Sequence, residues 1–219
     1  MAAVETFTER SLEPAVSGFL HSPASESGEA LVLTHGAGGN AQMALLVALA
    51  EAFAGAGFRV LRANLPFRQL RSFGPPRASD AARDRAGLKN AVSAMKKLGA
   101  RRIFLGGQSY GGRQASMLSA EEKVAEALLL LSYPLHAPSR PDQPRTQHLP
   151  GLTIPVLFVQ GTRDPFGSIE EMEAARKLIP ARTRLFPVEG AGHDLGFKRN
   201  RRPDDFARRV LAAWEEFLG

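Results

Sequence analysis

The sequence predicts an α/β fold with a mainly parallel central sheet and helices on both faces. Six short apolar runs recur along the 219-residue chain, at 30–34, 58–63, 103–107, 128–132, 155–160 and 183–188. They are apolar at consecutive positions, the pattern of strands covered on both sides. The segments between them carry apolar residues at three- and four-residue spacing, the mark of amphipathic helices. Strands alternating with helices are what a parallel sheet with crossover helices requires.

Composition narrows the class. With 44% hydrophobic and 23% charged residues the chain is an ordinary globular one, too apolar to stay disordered. Its length fits one domain spanning residues 1–219. Cysteine is absent, which excludes a thiolate nucleophile, a disulfide framework and a Cys-ligated metal. The longest apolar run, 43–50, is far below the ~20 residues of a membrane helix. The opening MAAVETFTER has early acids and no apolar core of a secretory leader, so a cytoplasmic protein is expected. Net charge is +6, but the 22 arginines are scattered, densest at Arg101–Arg102 and in 198–202. No aromatic RNA-binding signature, zinc finger or basic zipper accompanies them, so neither a nucleic-acid nor a membrane partner is expected.

Taken in order, the first 25 residues precede the α/β rhythm and suit an edge hairpin. After the first run comes His35-Gly36-Ala37-Gly38-Gly39, then a helix expected to be capped by Asn40. Its apolar face is Met43, Leu46, Val47, Ala50 and Phe53, and Gly55 and Gly57 end it. Residues 79–98 carry Leu88, Ala91, Val92, Met95 and Leu98 at helical spacing, with Lys96 and Lys97 at the negative end. Residues 113–119 form the next helix. Ser168-x-x-Glu171 is a capping box, and Pro180 is expected to end that helix. Pro203 with Asp204 and Asp205 should open the last helix, whose buried stripe is Phe206, Val210, Trp214 and Phe217. Two Pro-rich stretches, 64–77 and 136–151, follow strands and should lie at the C-terminal edge of the sheet as loops or small lids.

Chemistry concentrates at Gly107-Gln108-Ser109-Tyr110-Gly111, a G-x-S-x-G pattern. By chance it arises in roughly one chain in fourteen of this length, so context must decide. Here a strand runs directly into it and a helix follows, and the small residues two before and two after the serine let strand and helix approach closely. Glycines at Gly111 and Gly112 weaken a helix start by ~1 kcal/mol each, a choice that helix formation alone does not explain. A serine hydroxyl needs a base, and the base an orienting carboxylate. Asp164 follows the run 155–160, and His193 stands in Gly190-Ala191-Gly192-His193 after the run 183–188, in the chain order Ser, acid, His. Asp194 is a poor rival acid because adjacent side chains rarely orient each other. Two backbone N–H groups must face the developing oxyanion; those of Tyr110 and Ala37 are the candidates.

Two other readings compete. Gly36-Ala37-Gly38-Gly39-Asn40-Ala41 also satisfies the dinucleotide pattern G-x-G-x-x-A, with Arg62 suited to a 2′-phosphate. That reading leaves Ser109, Asp164 and His193 unused. The second is a fold that binds a protein partner with its Ser-His-Asp constellation idle.

The blocks LTHGAGGN, GGQSYGGR, LSYPLHAP, PVLFVQGTRDPF and GAGHDL, five in one order, resemble the small α/β hydrolases of the testis-expressed protein thirty family and the dienelactone-hydrolase-like bacterial proteins. The resemblance covers roughly residues 29–218. It implies the α/β-hydrolase fold without a large cap domain, and Ser109, Asp164 and His193 as a catalytic triad. Some members of that family act as complex subunits. Dienelactone hydrolases proper use a Cys nucleophile, so their substrate does not carry over to this Cys-free chain.

The expected activity is hydrolysis of a small carboxylic ester or thioester through an acyl-enzyme. The partner is a small-molecule acyl substrate, and neither cofactor nor metal is called for. Some of Arg62, Arg68, Arg71 and Arg77 are expected to line the pocket mouth, favouring anionic acyl groups, and Tyr133, Pro134 and His136 are candidates to border the acyl pocket.

Overall fold

The computed structural model describes residues 2–197 and 205–219. Its described strands are β1 (Ala3–Glu9), β2 (Val16–Ser22), β3 (Glu29–Thr34), β4 (Arg59–Asn64), β5 (Arg102–Gln108), β6 (Leu128–Leu131), β7 (Val156–Gly161) and β8 (Thr183–Val188). The helices are α1 (Ala44–Gly55), α2 (Pro66–Leu70), α3 (Ala81–Lys97), α4 (Tyr110–Glu121), α5 (Ile169–Arg176) and α6 (Phe206–Leu218). The strands make one sheet in the order β1-β2-β4-β3-β5-β6-β7-β8. From β4 to β8 every neighbouring pair is parallel, whereas the hairpin β1–β2 joins β4 antiparallel. Each expected strand is present within a residue or two.

Consecutive apolar residues feed two cores, because successive side chains leave a strand on opposite faces. Val32, Leu128 and Leu130 pack with Leu88, Val92 and Met95 of α3 and Leu118 of α4. Leu31, Leu33, Leu129 and Leu131 pack on the other face with Leu46, Leu49 and Phe53 of α1 and Val210, Trp214 and Phe217 of α6. Trp214 is edge-on to Phe53 and Phe104, with ring centroids 6.2 and 5.1 Å away.

Helix ends depart from the sequence reading in places. Asn40 does not cap α1; its Oδ1 accepts the Gln42 N–H at 2.8 Å, closing a local turn, and the helix begins after Met43 with no side-chain cap. Asparagine bonds its own backbone two residues on as readily as it caps. The helix α5 stops at Arg176, before Pro180, in a turn where Leu178 and Ile179 bond back to Ala175 and Arg176. Pro203, Asp204 and the basic stretch 198–202 lie outside the described residues; Asp205 precedes α6 at φ 60° and supplies no side-chain cap.

The sheet order places the site. The chain passes from β3 to β4 on one side, then returns to put β5 on the other side of β3. The loops leaving β3 and β5 therefore diverge and leave a crevice at the strands' C-terminal ends, where open α/β sheets bind ligands.

Candidate active site

Ser109 stands between β5 and α4 with φ 50° and ψ −118°, backbone that a residue with a Cβ rarely adopts. Close approach explains its glycine neighbours. A Cβ on Gly107 would come within 2.8 Å of Thr34 Cγ2 and its carbonyl oxygen, and one on Gly111 within 2.4 Å of the His35 carbonyl oxygen. Both distances are shorter than non-bonded atoms tolerate, so these positions admit no side chain while β3 and the elbow stay in contact.

The loops after β7 and β8 bring two more side chains to the serine. His193 Nε2 lies 2.8 Å from Ser109 Oγ, and His193 Nδ1 lies 2.8 and 3.0 Å from Asp164 Oδ2 and Oδ1. The Asp164 side chain is fully buried and also accepts the Phe166 N–H at 2.9 Å and Gln160 Nε2 at 3.1 Å. A carboxylate only accepts, so Nδ1 carries the ring proton and Nε2 is left to accept from the serine hydroxyl. The Phe166 ring stacks on the imidazole at 4.1 Å. Gln160 is itself anchored, accepting the Tyr133 N–H and donating to the Gly167 carbonyl. This chain of contacts can take a proton from Ser109 while holding the imidazole in one tautomer. Asp194 stays outside it, with Oδ1 accepting the Gly196 N–H.

The loop after β3 is braced from behind. His35 is buried and accepts the Leu65 N–H on Nε2 at 3.1 Å, so its Nδ1 donates to the Gly36 carbonyl at 2.8 Å. Burial, and then the charge of Arg68 against the Gly36 hydrogen bond, push its pKa down to about 4. Gly39 N–H also bonds the Gly36 carbonyl. Because a trans peptide is planar, the N–H of Ala37 faces the opposite way from that carbonyl. The Tyr110 N–H is likewise set opposite the Ser109 carbonyl, which accepts the Arg113 N–H inside α4 at 2.9 Å. Ala37, Tyr110, Ser109 and His193 all line one cleft of about 870 Å³. Asp84, buried at the foot of α3, accepts the Tyr110 hydroxyl at 2.7 Å and the Phe67 N–H at 3.0 Å, tying the elbow to α2.

The expectation that some of these arginines line the mouth is met by one of the four. Arg62 is buried and donates to His21 Nε2 and the Ala41 carbonyl. Its guanidinium is taken up by these two acceptors and does not line the cleft, which speaks against the 2′-phosphate role. Arg68 is buried too, and its guanidinium donates to the carbonyls of Ala37, Gly39, Arg71 and Gly74, binding the two loops together. Arg71 pairs with Asp80 at 2.5 Å. Of that set only Arg77 lines the cleft, on the rim with Pro75, Pro76 and Ala78. Pro134 lines it as well, but Tyr133 is buried, with its hydroxyl on the Arg145 carbonyl, and His136 bonds Glu171 and its own neighbour's carbonyl. The sequence reading missed Arg113, Arg145, Gln160 and Phe166. Arg113 was findable, four residues past Ser109 on the same helical face; Arg145 reaches the cleft from a long loop that leaves no periodic trace.

A family profile described as Alpha/beta hydrolase domain matches residues 27–217. Among solved structures the chain is similar to a dienelactone hydrolase from Anabaena variabilis, at 20% identity over 99% of this chain and 97% of that one, with TM-score 0.74. It is similar to Est1E from Butyrivibrio proteoclasticus at 19% identity, over 98% of each, with TM-score 0.74. A third similar structure is TT1662 from Thermus thermophilus, at 25% identity over 100% of this chain and 98% of that one, with TM-score 0.73. At these identities the likeness speaks to the fold.

Proposed function

The chain belongs to the alpha/beta hydrolase domain family, and on that premise we propose that it is a serine hydrolase cleaving a small carboxylic ester or thioester. The observation that carries the proposal is the unbroken relay from Ser109 Oγ through His193 to Asp164, at 2.8 Å on each side of the imidazole, opening on a cleft. Ser109 Oγ attacks the acyl carbon while its proton passes to His193 Nε2. Asp164 holds the tautomer and stabilises the imidazolium. The N–H groups of Ala37 and Tyr110 receive the oxyanion of the tetrahedral intermediate. Collapse expels the alcohol or thiol, which takes the proton from Nε2. Water then attacks the acyl carbon, giving a proton to the same nitrogen. Collapse of the second intermediate releases the acid and returns the proton to Ser109.

A fluorophosphonate probe followed by intact-mass measurement tests the reading. One adduct on the wild-type protein, absent from Ser109→Ala, is the expected outcome. Asp164→Asn should keep the fold and lower kcat/KM for an activated ester by about 10⁴-fold, because the imidazole then loses its tautomer control. A folded wild-type protein that takes no adduct and turns over no activated ester sinks the proposal.

A further inference from the structure

The described lining of the cleft holds three arginines, Arg77, Arg113 and Arg145, and no acid. Elsewhere the chain pairs its arginines with carboxylates: Arg85 with Glu121, Arg176 with Glu173, Arg184 with Glu216. Arg113 and Arg145 have no such partner among the described residues. Arg145 Nη1 donates to the Pro134 carbonyl at 3.2 Å, and Arg113 Nε is buried without a hydrogen-bond partner. The two guanidiniums also face each other's charge: burial first, then Arg113, holds the pKa of Arg145 below its ordinary value. Two neighbouring cations in a half-dry wall, unmatched by any acid, focus a positive potential on the cleft. Their position relates this charge to the chemistry. Arg113 is four residues past Ser109, about 6 Å along the helix axis, and Arg145 comes down beside it from the loop between β6 and β7. A guanidinium suits an oxyanion better than any other side chain, because its fork of donors matches two oxygens at once.

We infer that the ester cleaved at this site carries an oxyanionic group, carboxylate or phosphate, a few atoms from the scissile carbonyl, and that Arg113 and Arg145 bind it. The inference rests on the serine-hydrolase reading, naming the substrate class for that same site. It makes the two arginines specificity determinants: they select among esters and leave the proton relay to His193.

The experiment compares p-nitrophenyl esters of equal chain length, the pentanoate, the glutarate monoester and the 4-phosphonobutanoate. Wild-type protein should prefer the better anionic ester over the pentanoate by at least about tenfold in kcat/KM. That preference should shrink as salt is raised, since exposed charge pairs are screened. In Arg113→Gln and Arg145→Gln the preference should fall at least about fivefold, while Arg113→Lys and Arg145→Lys should retain part of it. The lysine variants keep the test valid should a glutamine variant unfold. Whichever of the glutarate and phosphonate esters is faster identifies the anion. Calorimetric titration of free glutarate and inorganic phosphate into the wild type and the glutamine variants separates the two readings. Arginine-dependent binding without turnover of any ester overturns the hydrolase reading and keeps the anion site. Equal kcat/KM for neutral and anionic esters, unmoved by the substitutions, overturns the anion site and keeps the hydrolase.

Discussion

Ser109 sits in backbone that costs of the order of 1–3 kcal/mol for a residue with a Cβ, with φ 50°. The surrounding contacts of Gly107 and Gly111 hold it there. Ser109→Gly should therefore be inactive yet more stable than Ser109→Ala by about 1 kcal/mol, read from urea unfolding midpoints. Equal midpoints would mean the elbow stores no strain. His35 makes a second residue-scale prediction. Its folded-state pKa of about 4 lies below the ~6.5 of an unfolded histidine. The unfolded chain binds more protons between those values, so the stability that His35 contributes is full above about pH 6.5 and lost as pH falls toward 4. His21 and His148 are lowered to about 4 as well, mainly by burial, and act in the same direction. Stability measured by denaturant should fall between pH 6.5 and 4.5, with a shallower slope in His35→Gln; an unchanged slope in that variant would count against the role. Ser109, Asp164 and His193 were nameable from spacing alone, because each follows a strand and the elbow is a local pattern. Gln160 was not, although it stands only four residues before Asp164, because its bond to that carboxylate depends on how the turn after β7 folds back; Arg145 was not, because it reaches the cleft from a loop far away in sequence.

At the scale of elements, the turn from β5 into α4 is set by sterics rather than by helix propensity. Alanine is preferred over glycine in a helix by about 1 kcal/mol. Even so, Gly111→Ala should lower stability by a few kcal/mol and abolish turnover, because its Cβ would meet the His35 carbonyl oxygen at 2.4 Å. Gly38→Ala, where a Cβ meets nothing within 4 Å, should change stability by less than about 0.5 kcal/mol. Thermal midpoints of the two variants check the contrast, and similar losses would refute the steric account. Arg68 gives the loops their common anchor. Arg68→Ala leaves the carbonyls of Ala37, Gly39, Arg71 and Gly74 without their shared donor, and should lower kcat more than it raises KM for an activated ester. A pure KM effect would detach Arg68 from the catalytic role proposed for the loop after β3. Strand positions were legible to within a residue or two, since consecutive burial leaves a continuous apolar run. Helix starts were less so: Asn40 offers a cap in sequence, but its side chain is already used by the Gln42 N–H in the turn before α1.

On the scale of the whole molecule, two cores sandwich one sheet, and Trp214 is the largest side chain wholly buried in it. Trp214→Ala should cost about 3–5 kcal/mol and lower the melting temperature by about 10 °C, measured by calorimetry. A loss under about 1 kcal/mol would place the folding energy elsewhere. Because α6 packs on the face opposite α4, that variant should keep a normal Ser109 environment while folded, tested by the rate of fluorophosphonate labelling at low temperature. The α/β class, the strand positions, and the order serine, acid, histidine were determined by the sequence itself, because hydrophobic period and strand-to-loop motifs are written in neighbouring residues. Only the tertiary structure decided which arginines face solvent, backbone or cleft. Arg62 lies in β4 and Arg68 follows it as Arg77 does, yet the first two turn inward to buried acceptors, and Arg113 and Arg145 come together from a helix and a distant loop. A charged side chain goes where its donors find acceptors, and that depends on which loops the sheet order sets side by side.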